Sequence, residues 1–591
     1  MPGRRAALLL IVCIGAVYLG TATDRAIMDD GDALYASIAR QMAVRGDWVT
    51  PWADGVRFLD KPPMMYWLMG IAFLLLGAGE FAARLPSVLA VAGISLLLFS
   101  MAKKHAGVAA GWLAGLASAF CVGTFLFTRM VFPDILFVFF LTLALYAFWK
   151  WYEDPRSPLA PALAGYAALA GAVLAKGLIG AAFPVAAVLL FLAPGREWGR
   201  LKRCHALPGL LLFLVLALPW HLLAAVRNPG FLWYFFINEQ WLRFLGQRQP
   251  FDYESIPLVW FWALLLFWLF PWSAFIPAMM AAFRECGFRG PGAGSTLRLA
   301  LSWIIVVLGF FSLSSRIEHY ALPLLPPLAL LAGIALSPDR LGTAGDPEVR
   351  KRWVARGFGL LAWIGILCAL ALAGGLAFWI FGRWGKVAGH GEAARHIRAY
   401  NYYFAPVFDL PPETVSRLGA PLVGTCLALA VGFPAAWWLN RRGRRVPAAS
   451  ALAAVMALFC FFAWQSIGVC EDGLSSRQFG RALARLAQPG DTVVVFGDFE
   501  TANSINFYSD MPLDVIGGTA ALLHWGLQYP DAPRRLLTPS EFEARWQGAR
   551  RVFLLLPDAR AAELGLKPGY EVMRAAGRTL LCNRPLGGAP L

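Results

Sequence analysis

Three carboxylates within four residues are the first feature of this sequence that could do chemistry. They lie in Met28-Asp29-Asp30-Gly31-Asp32, just after the first apolar stretch. Such close carboxylates repel one another, which raises the pKa of at least one unless a cation, metal ion or substrate neutralises it. A group of this kind suits proton abstraction or metal binding. The alternative is an acidic cap for a helix over residues 33–44.

A cation beside an acid follows in Phe58-Leu59-Asp60-Lys61-Pro62-Pro63. Lys61 could meet a lipid phosphate as a point charge, and each charge-assisted hydrogen bond would contribute about 1.5–3 kcal/mol. The alternative is an interfacial lysine that binds any phospholipid headgroup.

Asp134 lies in Thr128-Arg129-Met130-Val131-Phe132-Pro133-Asp134, at the outer entry of an apolar segment. A charge that faces lipid is costly, so Asp134 is expected to face the protein interior or a cavity. The alternatives are an ion pair with Arg129 or a helix cap after Pro133.

Further polar clusters occur in other predicted outer loops. They contain Lys176, Glu239 with Arg243 and Arg248, and Arg316-Ile317-Glu318-His319-Tyr320. Each cluster could be an interfacial anchor with Trp or Tyr at headgroup depth. Acids and bases from five separate loops on one side of a membrane nevertheless favour a site for an anionic substrate with a proton to move.

The elements that position these residues follow from composition. With 59% hydrophobic and 15% charged residues in 591, the chain is a polytopic helical membrane protein, not a soluble enzyme. The net charge of +16 fits basic cytoplasmic loops better than nucleic-acid binding. The nine cysteines have no metal-binding spacing.

Thirteen apolar segments predict membrane spans, and the first of them is expected to be a retained helix although it resembles a signal peptide. The spans are predicted near 6–23, 82–102, 107–125, 132–150, 158–175, 177–194, 207–225, 257–281, 298–313, 320–337, 354–381, 417–439 and 447–467. The segment Pro63–Leu76 is predicted to lie flat on the outer interface. If it crossed, the basic loops at 103–104, 196–203, 350–356 and 441–445 would face outward, against the positive-inside rule.

The chain beyond residue 470 changes character. Short buried strands are predicted at 493–496 and 552–556, and amphipathic helices at 475–486 and 539–547. We therefore predict two parts: a transmembrane domain over 1–470 with outer loops at 24–81 and 226–256, and a small outer α/β domain over 471–591 with a structural or acceptor-facing role.

At these residues the chain resembles a known family. The run Asp32–Met42, then Gly46-Asp47-Trp48-Val49, Asp60-Lys61-Pro62 and Tyr66-Trp67, resembles the first outer loop of bacterial lipid A aminoarabinose transferases. These belong, with the protein O-mannosyltransferases, to the integral-membrane glycosyltransferases of the GT-C fold. The resemblance extends over most of the chain, including 175–177, 242–244, 319–323 and 476–557, and is more specific to the family than to one sugar.

The resemblance implies an enzyme of the bacterial inner membrane that moves a sugar from a polyprenyl phosphate to lipid A or a related acceptor on the periplasmic face. It places the family's acids on Asp30 or Asp32 and on Asp134, and its lipid-phosphate ligands on Lys61, Arg243 and Tyr320. The supporting residues would be Asp29, Asp60, Arg129, Lys176, Glu239, Arg316, Glu318 and His319.

Two departures from the family pattern matter. The usual Asp-Glu pair would align with Gly31-Asp32, which leaves the leading acid open between Asp30 and Asp32. A metal-binding His of some relatives aligns with Asn238, and Asp60 replaces a Glu. No cofactor is therefore expected to be required, and a divalent metal stays a less favoured alternative.

The mechanism expected from these residues is a direct displacement at the anomeric carbon, in which Lys61, Arg243 and Tyr320 stabilise the departing lipid phosphate. Two alternatives remain. The acceptor could be a protein or another glycan, or the chain could be a lipid transporter. Transport is less favoured, because the polar groups collect on one face and no repeated halves are visible.

Overall fold

The chain folds into a bundle of apolar helices with a small mixed sheet near its C-terminus. The computed structural model describes residues 3–251, 255–287, 293–339, 341–342, 344–380, 412–564, 566 and 568–586. Within these ranges ten helices are long and apolar enough to cross a membrane, and the bent pair Leu258–Trp268 and Trp272–Cys286 would make eleven. The ten are Gly3–Gly20, Glu80–Ala119, Asp134–Glu153, Leu159–Lys176, Ala206–Arg227, Gly294–Leu313, Glu318–Leu336, Pro347–Gly374, Gly419–Arg441 and Arg445–Leu474. The predicted polytopic membrane fold is confirmed.

Two local features explain why thirteen segments were predicted. The 40-residue helix Glu80–Ala119 breaks at Ala106 and Gly107, where Gly107 takes a φ of +79°, so this helix holds two of the predicted segments. The helix Ile179–Leu192 has only 14 residues, which is short for a bilayer that needs about 20.

The first outer loop is itself folded. It contains the helices Gly31–Arg45 and Met64–Leu76 and a hairpin of strands β1 (Trp52–Ala53) and β2 (Val56–Arg57). The 13-residue helix Met64–Leu76 packs on Gly31–Arg45, and its Phe73 ring lies 6.0 Å from that of Phe507 near the C-terminus. The flat orientation of this helix on the membrane stays a prediction.

Shorter helical elements lie between the spans or form parts of them. They are Val122–Arg129, the π-helix Trp233–Leu242, the 3-10 helix Trp272–Phe275 and the α-helix Ile276–Cys286 that follows it, and the 3-10 helix Glu318–Leu324 that precedes Leu325–Leu336.

The C-terminal sheet confirms the predicted α/β region. Its six strands are β3 (Thr492–Phe496), β4 (Leu513–Ile516), β5 (Leu536–Leu537), β6 (Val552–Pro557), β7 (Tyr570–Ala575) and β8 (Arg578–Cys582), in the order β5-β4-β3-β6-β8-β7. The two predicted strands, β3 and β6, pair in parallel at its centre. The helices of this region are Arg477–Leu486, Ser504–Ser509, Pro539–Trp546 and Asp558–Leu564.

The basic loops gather at one end of the bundle. His105 lies 2.9 Å and Lys104 3.2 Å from Glu153. Arg350 and Arg445 both donate to the carbonyl of Ser337. The 20-residue helix Asp134–Glu153 begins near Lys176 and His319 and ends at the basic loops, so its two ends lie at opposite ends of the bundle. Which end faces outward stays a prediction.

Candidate active site

A cavity of about 230 Å³ lies at the acid-rich end of the bundle. Its wall is built from the first outer loop, the ends of three spans, the π-helix Trp233–Leu242, the 3-10 helix Glu318–Leu324 and the C-terminal region. The predicted site residues that line it are Asp30, Asp60, Lys61, Asp134, Lys176, Glu239, Arg243, His319 and Tyr320. Residues from six separate stretches of the sequence are therefore brought together.

Glu239 organises the cations on one side of the cavity. Its carboxylate accepts hydrogen bonds from Arg243 at 2.7 Å and from Arg248 at 2.5 Å, and its Oε2 lies 3.7 Å from the Lys61 ammonium. Burial alone would raise the pKa of Glu239, but Arg243 and Arg248 outweigh it and lower that pKa to about 2. Glu239 is therefore ionised near neutral pH and holds the cations in place.

Asp60 completes this network. Its Oδ1 accepts from the Tyr234 hydroxyl at 2.6 Å and its Oδ2 from Arg248 at 2.9 Å. Burial and the Glu239 carboxylate raise the pKa of Asp60, against the effects of Arg248 and Lys61. Among the described residues, this network joins three cations to two carboxylates: Lys61, Arg243 and Arg248 to Glu239 and Asp60. Lys61 makes no hydrogen bond to either of these carboxylates.

Asp134 occupies the other side of the cavity. It is the first residue of the helix Asp134–Glu153, where the helix dipole favours an acid, and it pairs with Lys176 at the end of the helix Leu159–Lys176. The Nε2 of His319 lies 3.7 Å from its Oδ1. The Lys176 ammonium also stands 4.7 Å from the centre of the Tyr320 ring, which links the acid to the cation side.

Asp30 lines the cavity in an unusual backbone conformation. Its φ of +72° and ψ of −132° are sparsely populated for a residue with a Cβ and cost about 1–3 kcal/mol. Such a conformation persists only where neighbouring groups hold it, and both backbone polar groups of Asp30 bond to the side chain of Asn503.

The other two acids of the cluster point elsewhere. Asp32 is buried outside the cavity wall and accepts a hydrogen bond from the Val131 amide at 2.9 Å. Burial raises the pKa of Asp32 to about 6, although the Val131 amide and Arg84 both oppose the rise. Asp29 accepts from the Ser476 hydroxyl and the Ser504 amide, each at 2.8 Å, and so binds the first loop to the C-terminal region.

Three further predicted residues lie outside the cavity wall. Arg129 donates to the Thr21 hydroxyl at 2.9 Å, and Arg316 donates to the carbonyls of Ile256 and Ser314. Glu318 is buried beside His319. The two arginines stabilise backbone instead of facing the cavity.

Two charged residues of the cavity wall were not predicted from the sequence. Arg248 stood in the same polar loop as Glu239 but was not assigned to the site, although it bridges Glu239 and Asp60. Glu500 comes from the C-terminal region and accepts from the Leu522 amide at 2.9 Å. No local pattern marks Glu500, because its place depends on how the C-terminal region packs on the loops.

The residues that align with the metal ligands of some relatives do not fit a metal. The Asn238 side chain is bonded to the backbone of Gln249 on both its amide groups, and both Asp60 oxygens accept hydrogen bonds from protein donors. Over the described ranges, no group of three or more His, Cys, Asp and Glu side chains could hold a metal ion.

Comparison with known proteins shows which family the chain resembles. The profile of the dolichyl-phosphate-mannose-protein mannosyltransferases matches residues 60–222. An undecaprenyl phosphate-alpha-4-amino-4-deoxy-L-arabinose arabinosyl transferase of Edwardsiella ictaluri is 26% identical over 97% of both chains. Its Pseudomonas aeruginosa counterpart (strain LESB58) is 31% identical over 57% of this chain and 60% of its own length. An uncharacterised protein of Aquifex aeolicus is 31% identical over 52% of this chain and 68% of its own.

The fold agrees with these matches. The crystal structure of ArnT from Cupriavidus metallidurans bound to undecaprenyl phosphate superimposes with a TM-score of 0.80 at 23% identity, covering 98% of this chain and 99% of that one. The chain belongs to the lipid A aminoarabinose transferase family, membrane glycosyltransferases with polyprenyl-phosphate donors that are related to the protein O-mannosyltransferases.

Proposed function

We propose that this protein transfers an aminoarabinose-like sugar from a polyprenyl phosphate to lipid A or a related acceptor. One observation carries the proposal. Cations, among them Lys61 and Arg243, and carboxylates, among them Asp30 and Asp134, line the same cavity. We call the part around Lys61 and Arg243 its cationic side and the part around Asp30 and Asp134 its carboxylate side. A displacement reaction needs both kinds of group, because negative charge grows on the leaving phosphate while the acceptor must be oriented or deprotonated.

The leaving group would bind on the cationic side. Lys61 and Arg243, with the hydroxyl of Tyr320, would hold the lipid phosphate and stabilise its charge as the bond from the anomeric carbon to the phosphate oxygen breaks. The rings of Phe244, Phe310 and Phe311 line the same cavity and suit the first isoprene units of the lipid.

The acceptor would approach from the carboxylate side. Its oxygen supplies the electron pair for the new bond to the anomeric carbon, and the electrons of the broken bond leave with the phosphate. A phosphate monoester acceptor, with a second pKa near 6, is already largely ionised at neutral pH and needs orientation more than a base. A hydroxyl acceptor would pass its proton to Asp30 or Asp134.

The remaining predicted residues would support this site. We propose that Asp32 fixes the segment before Asp134 through the Val131 amide and that Asp29 fixes the loop that carries Asp30. His319 and Lys176 would orient Asp134. Arg129, Arg316 and Glu318 would stabilise the surrounding backbone and packing.

We also propose the location and domain division that this function requires. The transmembrane domain would cover 1–470, with periplasmic loops at 24–81 and 226–256, and the α/β domain 471–591 would lie in the periplasm. The enzyme would sit in the bacterial inner membrane with its cavity on the periplasmic face, where the donor and acceptor headgroups would meet.

The test is reconstitution of the purified full-length protein in lipid nanodiscs with undecaprenyl-phosphate-linked aminoarabinose and lipid A. Mass spectrometry should show lipid A gaining the mass of one sugar residue, and the Asp30→Asn, Asp134→Asn variant should abolish the gain. Parallel analysis of lipid A and glycoproteins from a deletion strain separates the acceptors. Loss of sugar from glycoproteins alone would transfer the function to a protein acceptor.

A further inference from the structure

The C-terminal region forms several hydrogen bonds with the loop that carries Asp30. Contacts come from residues about 450 positions away along the chain. The Ile27 amide donates to the Tyr508 hydroxyl at 2.8 Å, and the Ser475 hydroxyl donates to the Ile27 carbonyl at 2.7 Å. The Asp29 amide donates to the Leu474 carbonyl at 2.8 Å.

Asn503 makes the last and most specific of these contacts. The Asp30 amide donates to Asn503 Oδ1 at 2.7 Å, and Asn503 Nδ2 donates to the Asp30 carbonyl at 2.9 Å. The Asn503 side chain is buried, with 2% exposure, and precedes the helix Ser504–Ser509. The side-chain amide of Asn503 therefore both donates to and accepts from the Asp30 backbone, as a residue of a neighbouring β-strand can do.

The two hydrogen bonds of Asn503 are made to a residue with a strained backbone conformation. Asp30 has a φ of +72°, in the left-handed region that side chains disfavour, and it lines the cavity. Asn503 does not line the cavity. If its two hydrogen bonds were lost, the Asp30 backbone would be expected to relax and carry the carboxylate away from its present place.

We propose that Asn503 is a positioning residue of the transfer reaction, through which the C-terminal region holds the Asp30 carboxylate in the cavity. This inference rests on the proposed function, because it requires Asp30 to take part in the transfer. It gives the C-terminal region a role in catalysis that is separate from any contact with the acceptor.

The test compares Asn503→Ala and Asn503→Asp with wild type in reconstituted full-length protein. Asn503→Asp is nearly isosteric and keeps an acceptor for the Asp30 amide, but it faces the Asp30 carbonyl with oxygen instead of N–H. We expect kcat to fall by about 10- to 100-fold in both, as for small misplacements of catalytic groups. The donor KM should stay within about twofold, because Lys61 and Arg243 are untouched.

Asn506→Ala is the matched control. Asn506 is buried in the same short helix, and its side chain donates to the Met511 carbonyl at 3.2 Å within the C-terminal region. It should leave kcat within about twofold of wild type. An equal loss in Asn506→Ala would mean that general damage to this region, not the contact with Asp30, lowers the rate, and would overturn the proposal.

A double-mutant cycle separates the positioning role from the proposed function. In an Asp30→Asn background, Asn503→Ala should cause no further loss in long-incubation mass spectrometry. If Asp30→Asn lowers turnover but Asn503→Ala does not, or lowers it equally in both backgrounds, the positioning role is wrong and the proposed function stands. If Asp30→Asn keeps full turnover, Asp30 has no part in the reaction and the positioning role is wrong, while the transfer itself stands. The proposed function fails only if the wild-type protein transfers no sugar.

Discussion

Lys61 is the residue whose replacement best separates donor binding from folding. Its ammonium lies 3.7 Å from Glu239 Oε2, makes no hydrogen bond to a described residue and belongs to a side chain that is 23% exposed. Burial and then the Arg243 guanidinium lower the pKa of Lys61, against the carboxylates of Glu239 and Asp60. The charged form is therefore disfavoured by folding, so a Lys61→Met variant should unfold at the wild-type temperature or higher at neutral pH.

Donor binding should respond in the opposite direction. The variant loses one charge-assisted hydrogen bond to the lipid phosphate, about 1.5–3 kcal/mol. Since 1.4 kcal/mol is a factor of ten, the Kd for undecaprenyl phosphate should rise by about 10- to 150-fold. Titration of nanodisc-embedded protein with undecaprenyl phosphate measures this Kd, and a thermal melt of the same sample measures stability.

Lys104→Met supplies the matched control. Lys104 also contacts a single carboxylate, Glu153 at 3.2 Å, but at the basic end of the bundle. Lys104→Met should leave the Kd for undecaprenyl phosphate unchanged. A Kd for Lys61→Met within twofold of wild type, with the fold intact, would show that Lys61 does not bind the phosphate. A large fall in melting temperature would refute the argument that its charge costs stability.

Two further predictions concern the carboxylates. Glu239→Gln should destabilise the protein at pH 7 by roughly 3–5 kcal/mol, because it removes the buried, ionised partner of the Arg243 and Arg248 guanidinium groups, which hold the pKa of Glu239 below its usual range. That contribution exists above pH 4.5 and fades towards pH 2, so equal stability of the two proteins at pH 7 in denaturant titrations would contradict it. Asp32→Asn should raise the melting temperature at pH 8. Burial raises the pKa of Asp32 from 3.8 to about 6, so ionisation of Asp32 lowers the free energy of unfolding as the pH rises from 3.8 to 6, and the loss remains at higher pH. Asp32→Asn should retain most turnover, whereas Asp30→Asn should lose about 100-fold. Unchanged turnover in both would remove these carboxylates from the mechanism.

Much of the fold follows from the sequence because a membrane allows few solutions. Apolar segments about 20 residues long and the positions of basic loops are enough to place the spans and to group the outer loops. Once these loops share one end, their charged residues must satisfy one another, which is why Asp60, Lys61, Glu239 and Arg243 meet in one network.

The choice between Asp30 and Asp32 shows what the sequence leaves open. The two acids are two residues apart, and both suit the start of a helix. In the structure, Asp30 has a positive φ and pairs with Asn503, which lies 473 positions away, and it lines the cavity. Asp32 instead accepts a hydrogen bond from the Val131 amide. Contacts of that separation leave no local pattern.

In the described part of the cavity, the cations Lys61, Arg243 and Arg248 share the carboxylates of Glu239 and Asp60. In the proposed reaction the donor phosphate gains charge as it departs, so cations that were already neutralised would stabilise it poorly. Glu239 and Asp60 offset part of the charge of Lys61, Arg243 and Arg248 and hold these side chains in place before the donor arrives. Asp134, by contrast, is paired with Lys176, whose ammonium lies 4.7 Å from the centre of the Tyr320 ring. In the proposed reaction, Lys176 would therefore contact both an acid of the acceptor side and the tyrosine of the donor side.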